Sequence, residues 1–73
     1  MRVTFDPEAD AAYIQLASEI LAGGVARTYT CDPTDVGGMI NLDFDSDGRL
    51  VGVEVLDAGH LLPPEVLQDG GRK

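Results

Sequence analysis

The sequence predicts a small α+β protein that is mostly β, with an antiparallel sheet of four to five strands and one or two short helical turns. Three observations lead to this fold class. Apolar and polar residues alternate with period two in several short segments, which is typical of half-buried strands. Turn-forming groups of glycine, proline and aspartate separate these segments. A proline-led segment favours a C-terminal helix near residues 64–69.

The N-terminal segment begins as a strand, because Val3 and Phe5 alternate with polar neighbours. Asp6 followed by Pro7 is typical of a helix start, so a short helical turn is expected next. The following residues are ambiguous. The β-branched and aromatic content of residues 12–17 favours a second strand, whereas the Ala, Leu, Glu and Gln content of residues 8–22 favours a helix. Local propensity leaves both alternatives open.

The middle of the chain contains one further strand and a loop. Residues 25–31 are β-branched and aromatic, which predicts a third strand after the break at Gly23 and Gly24. Residues 32–38 contain aspartate, proline and a glycine pair, so we expect a loop there.

The two segments 39–44 and 50–56 have the clearest alternation, and we expect them to form a β-hairpin within residues 40–55. For their apolar residues to share one face, the loop between paired residues must contain an even number of residues. Loops at 46–47 and at 46–49 both satisfy this condition, and the longer type is common. The apolar residues in question are Ile40, Leu42 and Phe44 on one segment, and Val51, Val53 and Val55 on the other.

The length of 73 residues predicts one domain, residues 1–69, with residues 70–73 as a frayed tail. A domain this small buries little surface, and a single cysteine cannot form a disulfide within the chain. The last strand also carries Leu50 and Leu56 on the face opposite its valines. Such a strand is either central in a layered structure or covered by another chain. We therefore expect a homodimer.

The formal net charge of −8 arises from 13 acidic and 5 basic residues. The basic residues are scattered, so direct nucleic-acid binding is not expected. The acidity favours a small basic protein as partner, or serves solubility. No stretch approaches the roughly 20 apolar residues of a membrane span, and the N-terminus does not resemble a signal peptide. Together with the lone cysteine, this predicts a cytoplasmic location without membrane association.

The segment 43–48 satisfies a calcium-loop pattern. Asp43, Asp45, Asp47, Gly48 and Glu54 occupy every required position of D-x-[DN]-x-[DN]-G-x5-E. Both flanks have strand periodicity, however, and an EF-hand loop requires helices. Along a strand, Glu54 would lie roughly 20 Å beyond the tip, out of reach of an ion there. The sequence favours a hairpin turn, with a weak calcium site formed by Asp43, Asp45 and Asp47 as the alternative.

Other candidates for chemistry are isolated. His60 and Cys31 are the only residues of their types, and neither has an identifiable catalytic neighbour in sequence. The carboxylates of Asp6, Glu8 and Asp10 are explained by capping. The glycine pairs lack the strand, helix and lysine of a phosphate-binding loop. We expect neither an enzyme nor a bound cofactor.

Two segments carry a resemblance to a known family: Phe5-Asp6-Pro7-Glu8-Ala9-Asp10-Ala11-Ala12-Tyr13-Ile14 and residues 41–58. They are similar to the opening and the close of a widespread bacterial family, domain of unknown function family 2283. The resemblance extends from residue 1 to about residue 67. It implies a small β-rich domain without catalytic residues, and it favours a strand at 12–17. It also implies an antitoxin-like role, because family members often look like one half of a two-gene module whose other gene encodes a small basic toxin-like protein.

The sequence thus predicts a non-enzymatic protein-interaction module, antitoxin-like toward a basic partner protein. The alternative is a weak divalent-cation-binding protein that uses the aspartates of the hairpin tip.

Overall fold

The computed structural model describes residues 1–72, and the side chains as far as residue 68. Five antiparallel strands form one sheet in the order β1-β2-β5-β4-β3, with three short helices. The predicted class, α+β and mostly β, is confirmed. Strands β3, β4 and β5 form a meander, and the β1-β2 hairpin joins it through β5. Within residues 1–72, no helix has the length and apolarity needed to cross a membrane.

The first two strands, β1 (Arg2–Asp6) and β2 (Ala11–Gln15), pair directly with each other. Residues 11–15 are therefore a strand, as the resemblance favoured, and not part of a helix over 8–22. The helical turn expected after Asp6 is instead the turn of this hairpin. Asp6 nevertheless caps this turn. One oxygen of its carboxylate accepts hydrogen bonds from the N–H groups of Glu8 (3.0 Å) and Ala9 (3.4 Å).

The third strand, β3 (Arg27–Thr30), lies at one edge of the sheet, within the segment predicted for it. The loop predicted at 32–38 contains a short helix, α1 (Pro33–Val36), which was not predicted there. The Asp32 side chain accepts a hydrogen bond from the Thr34 N–H at 2.9 Å, and Gly37 ends the helix at φ 80°. Cap, proline and terminal glycine together are the standard signals of a helix.

The predicted hairpin consists of β4 (Ile40–Phe44) and β5 (Leu50–Leu56). Leu42 pairs with Val53 and Ile40 with Val55, so their side chains share a face as expected. The expected even loop was wrong at the tip, because Phe44 pairs with Leu50 across residues 45–49. A bulge absorbs the difference in register, and Val51 is the extra residue. Strand β5 is central, with two strands on either side.

Two helices follow the sheet, α2 (Ala58–Leu61) and α3 (Pro64–Arg72). The C-terminal helix is confirmed, and it continues beyond its predicted end at residue 69; Lys73 lies outside the described residues. Asp57 does not cap α2 through its side chain and has a left-handed backbone, φ 60°. Asp10 does so instead, because its carboxylate accepts the Gly59 N–H at 2.9 Å and its carbonyl accepts the Ala58 N–H at 2.9 Å.

The core lies between one face of the sheet and these two helices. Ala12, Val55 and Ala58 are at its centre, each at most 2% exposed. Partly buried apolar residues surround them: Phe5, Ile40, Val53, Leu61, Leu62 and Leu67. Few residues are fully buried, whereas several large apolar side chains remain exposed. The helices thus cover one face, and the other face of the sheet is mostly polar, with Ala11 and Leu56 at one end.

Candidate functional site

The sheet face opposite the helices carries an ordered set of polar side chains, which we call the polar face. Opposed residues of an antiparallel sheet lie on the same face, so the strand register identifies the members. These side chains are half-buried or exposed. The register gives these polar members, with Gly52 at the centre: Arg2, Thr4, Asp6, Tyr13, Gln15, Thr28, Thr30, Asn41, Asp43 and Glu54.

One row of hydrogen bonds crosses the polar face at Asp43. The Tyr13 hydroxyl donates to one oxygen of the Asp43 carboxylate at 2.8 Å, and the Thr28 hydroxyl donates to the other at 2.7 Å. Tyr13 lies on β2, Asp43 on β4 and Thr28 on β3. The row therefore connects three strands and fixes the carboxylate from both sides.

The tyrosine reaches Asp43 only because Gly52 lies between them. Strand β5 separates β2 from β4, and the Tyr13 ring crosses it directly above this glycine. A Cβ atom at Gly52 would overlap the phenol oxygen and the ring. Glycine inside a strand often marks such a close approach of another group. Here the absence of a side chain creates the space for the cross-strand bond.

The environment also keeps the Tyr13 hydroxyl protonated. Burial, the hydrogen bond to Asp43 and the negative charges of Asp43 and Glu54 raise the pKa of Tyr13 from 10.0 to about 12. Each of these effects disfavours the phenolate. Tyr13 therefore donates its hydrogen bond to Asp43 at neutral pH.

A second row of hydrogen bonds runs parallel to the first. The Thr30 hydroxyl donates to the Asn41 side-chain oxygen at 2.7 Å, and the Asn41 amide nitrogen donates to the Glu54 carboxylate at 2.9 Å. A shallow depression of about 200 Å³ adjoins this row, with Thr4, Asp6, Tyr13 and Glu54 among its lining residues. The polar face thus presents two oriented carboxylates beside a concave surface.

The aspartates of the hairpin tip are engaged in three different ways. Asp43 belongs to the polar face. Asp45 closes the turn, since one of its oxygens accepts the N–H groups of Asp47 and Arg49, both at 2.9 Å. Asp47 is exposed and lies 4.0 Å from the Arg49 guanidinium. Glu54 is bound to Asn41 on the sheet. The described residues contain no group of three or more His, Cys, Asp or Glu side chains placed to hold a metal ion.

The remaining candidates from the sequence lie apart. His60 is exposed on α2, and Cys31 is a half-buried free thiol just after β3. Asp6 caps the first turn, whereas Asp10 binds α2. Sequence reasoning did not identify the role of Tyr13. The available signal was Gly52, a glycine inside a strand whose other residues, except Glu54, are apolar.

Chemically, the polar face offers fixed hydrogen-bond acceptors to a cationic group. Carboxylates form their strongest hydrogen bonds with arginine and lysine. Since Tyr13, Thr28 and Asn41 already orient Asp43 and Glu54, little side-chain entropy remains to be lost on binding.

The comparisons with known proteins give one result. The family model described as Protein of unknown function (DUF2283) matches residues 2–58, which include all five strands. The match ends before α3, whereas the resemblance had been expected to reach about residue 67. No curated protein and no solved structure matches the chain. The family resemblance is confirmed, and the chain belongs to this family of proteins of unknown function.

Proposed function

We propose that this protein is a non-enzymatic interaction module that binds a basic protein partner through the polar face. The observation that carries the proposal is the pair of oriented carboxylates, Asp43 and Glu54, on the sheet face opposite the helices. Hydrogen bonds hold each of them in place, which is the preorganisation that a binding surface needs. The net charge of −8 would attract a basic partner over a longer distance and speed its association.

The specific form of this function is antitoxin-like neutralisation of a small basic protein in the cytoplasm. The chain would act as a homodimer, because its own core is small. An alternative function is weak calcium binding by Asp43, Asp45 and Asp47. The contacts of Asp43 and Asp45 favour the first proposal, since both carboxylates already serve the fold.

Co-purification of the tagged protein from its native cells tests the proposal. We expect a basic protein in stoichiometric amount with the unaltered chain. The double variant Asp43→Asn/Glu54→Gln keeps side-chain size while removing both charges, and it should weaken binding at least tenfold, which corresponds to about 1.4 kcal/mol. Glu65→Gln is the matched control, because Glu65 is exposed on α3, across the sheet from the polar face.

Two outcomes would reject the proposal. One is the absence of any stoichiometric partner. The other is a partner that binds the Asp43→Asn/Glu54→Gln variant as tightly as the unaltered chain, which would place the contact elsewhere on the surface. Raising the salt concentration provides a further measurement, because a charge-directed association must slow down.

A further inference from the structure

The exposed edge strand β3 has features that none of the preceding functions uses. All four of its residues are exposed. The Cys31 N–H donates to the Ile40 carbonyl at 2.9 Å, and backbone groups alternate in direction along an antiparallel strand. The N–H and C=O groups of Thr28 and Thr30 therefore point away from β4. Such groups are a template for pairing with another strand.

The charge distribution makes this edge suitable for a second copy of the same chain. Two molecules of net charge −8 repel each other, and this repulsion is weakest where their contact avoids carboxylates. The longest stretch of the chain without an acidic residue is 20–31, and it contains β3. Its only charged residue, Arg27, has its guanidinium carbon 4.3 Å from the centre of the Phe44 ring and so lies over its own sheet.

The same stretch exposes apolar side chains. Leu21 is 67% exposed, Tyr29 56% and Val25 36%. The whole chain exposes 4892 Å², whereas a monomer of 7.7 kDa exposes roughly 4,300 Å². The chain thus exposes roughly 600 Å² more than this size relation gives. A second copy at this edge would bury part of that surface.

The other edge strand is less suitable. Helix α3 contacts β1, and the interior residues of β1 are half-buried. Its C-terminal end and the following turn carry Asp6 and Glu8, which would approach carboxylates of an equally acidic partner.

We infer that two copies of this chain associate by antiparallel pairing of their β3 strands into one continuous sheet. This inference rests on the dimeric state proposed above and names its interface. A two-fold axis perpendicular to the sheet keeps both polar faces on the same side. The dimer would thus present two copies of the Asp43 and Glu54 carboxylates to one side, while both sets of helices cover the other.

Two substitutions at one position test the pairing. Thr28→Pro removes the outward N–H, and proline is tolerated on an edge strand whose N–H faces solvent. Thr28→Val keeps that N–H and loses only the hydroxyl bonded to Asp43. Analytical ultracentrifugation over a range of concentrations should show dimers for the unaltered chain and for Thr28→Val. It should show at least a tenfold weaker dimer for Thr28→Pro.

Hydrogen exchange on the unaltered chain provides a second measurement that does not depend on a variant. The amides of Thr28 and Thr30 should exchange slowly in the dimer and rapidly after dilution to monomer. A Thr28→Pro dimer of unchanged affinity, or rapid exchange of both amides in the dimer, overturns the interface while leaving the dimer intact. A chain that is monomeric at every concentration overturns both. Partner binding by the polar face is measured separately, with the Asp43→Asn/Glu54→Gln variant. A failure of the dimer interface can therefore be distinguished from a failure of the proposed function.

Discussion

Replacement of Gly52 by alanine perturbs the polar face at its most crowded point. The new Cβ would overlap the phenol oxygen and the ring of Tyr13. Strand β5 cannot move away, because it is paired with β2 on one side and β4 on the other. The tyrosine must therefore swing out and give up its 2.8 Å hydrogen bond to Asp43.

The size of the effect follows from three contributions. Overpacking costs about 1–3 kcal/mol. Loss of a hydrogen bond to a charged group costs about 1.5–3 kcal/mol, and the lower end applies here because water can reach the half-buried carboxylate. Alanine is more favourable than glycine within a strand by about 0.5–1 kcal/mol, which offsets part of these two losses. We expect a net loss of about 2–3 kcal/mol in the free energy of unfolding, or roughly 10–20 °C in Tm for a chain of this size.

Denaturant unfolding followed by circular dichroism measures this loss, and a double-mutant cycle assigns its cause. In a Tyr13→Ala background the overlapping ring is absent, so Gly52→Ala should be neutral or slightly stabilising. The coupling energy between the two positions should be about 2–3 kcal/mol, in the upper part of the range for residues in contact. If Gly52→Ala costs the same in both backgrounds, the glycine does not act through Tyr13 and the explanation fails.

Three further predictions concern the same network and its surroundings. Because folding raises the pKa of Tyr13 from 10.0 to about 12, its contribution to stability is complete below pH 10 and lost as the pH rises through about 12; Tyr13→Phe should show a smaller loss over this interval in unfolding titrations. In Tyr29→Phe, Tyr13 is the only tyrosine left, and its phenolate absorbance should appear with a midpoint of about 12. Calcium on the order of millimolar, the range of weak sites, should not raise Tm; a rise that Asp47→Asn abolishes would instead establish the cation site at the hairpin tip. Asp10→Ala should lower the free energy of unfolding by about 1 kcal/mol, because the α2 cap is lost. Asp10→Asn should retain most of this stability, since asparagine both caps helices and tolerates a left-handed backbone. Equal losses in the two variants would contradict the capping role of Asp10.

The local pattern of the sequence was sufficient to locate most of the sheet. Period-two alternation identified β1, β4 and β5, and the β-branched content identified β3. The failures arose where contact with another segment decides the local structure. Asp6-Pro7 has the composition of a helix start, but pairing of β1 with β2 makes it a hairpin turn. Asp57 precedes a helix as a cap would, yet the cap comes from Asp10 in another part of the chain.

The polar face shows more clearly that local sequence patterns do not reveal which segments come into contact. Alternation indicates which residues point away from the core, but it does not give the order of strands in the sheet. Tyr13 and Asp43 become neighbours only because β5 lies between β2 and β4. The one local trace of this arrangement is Gly52, since most other residues would give a central strand more packing and a smaller entropy cost at that position. A glycine within such a strand is a signal of a bulge or of the close approach of another group. In this sheet that group is the Tyr13 side chain, and the same glycine allows it to hold Asp43 in place.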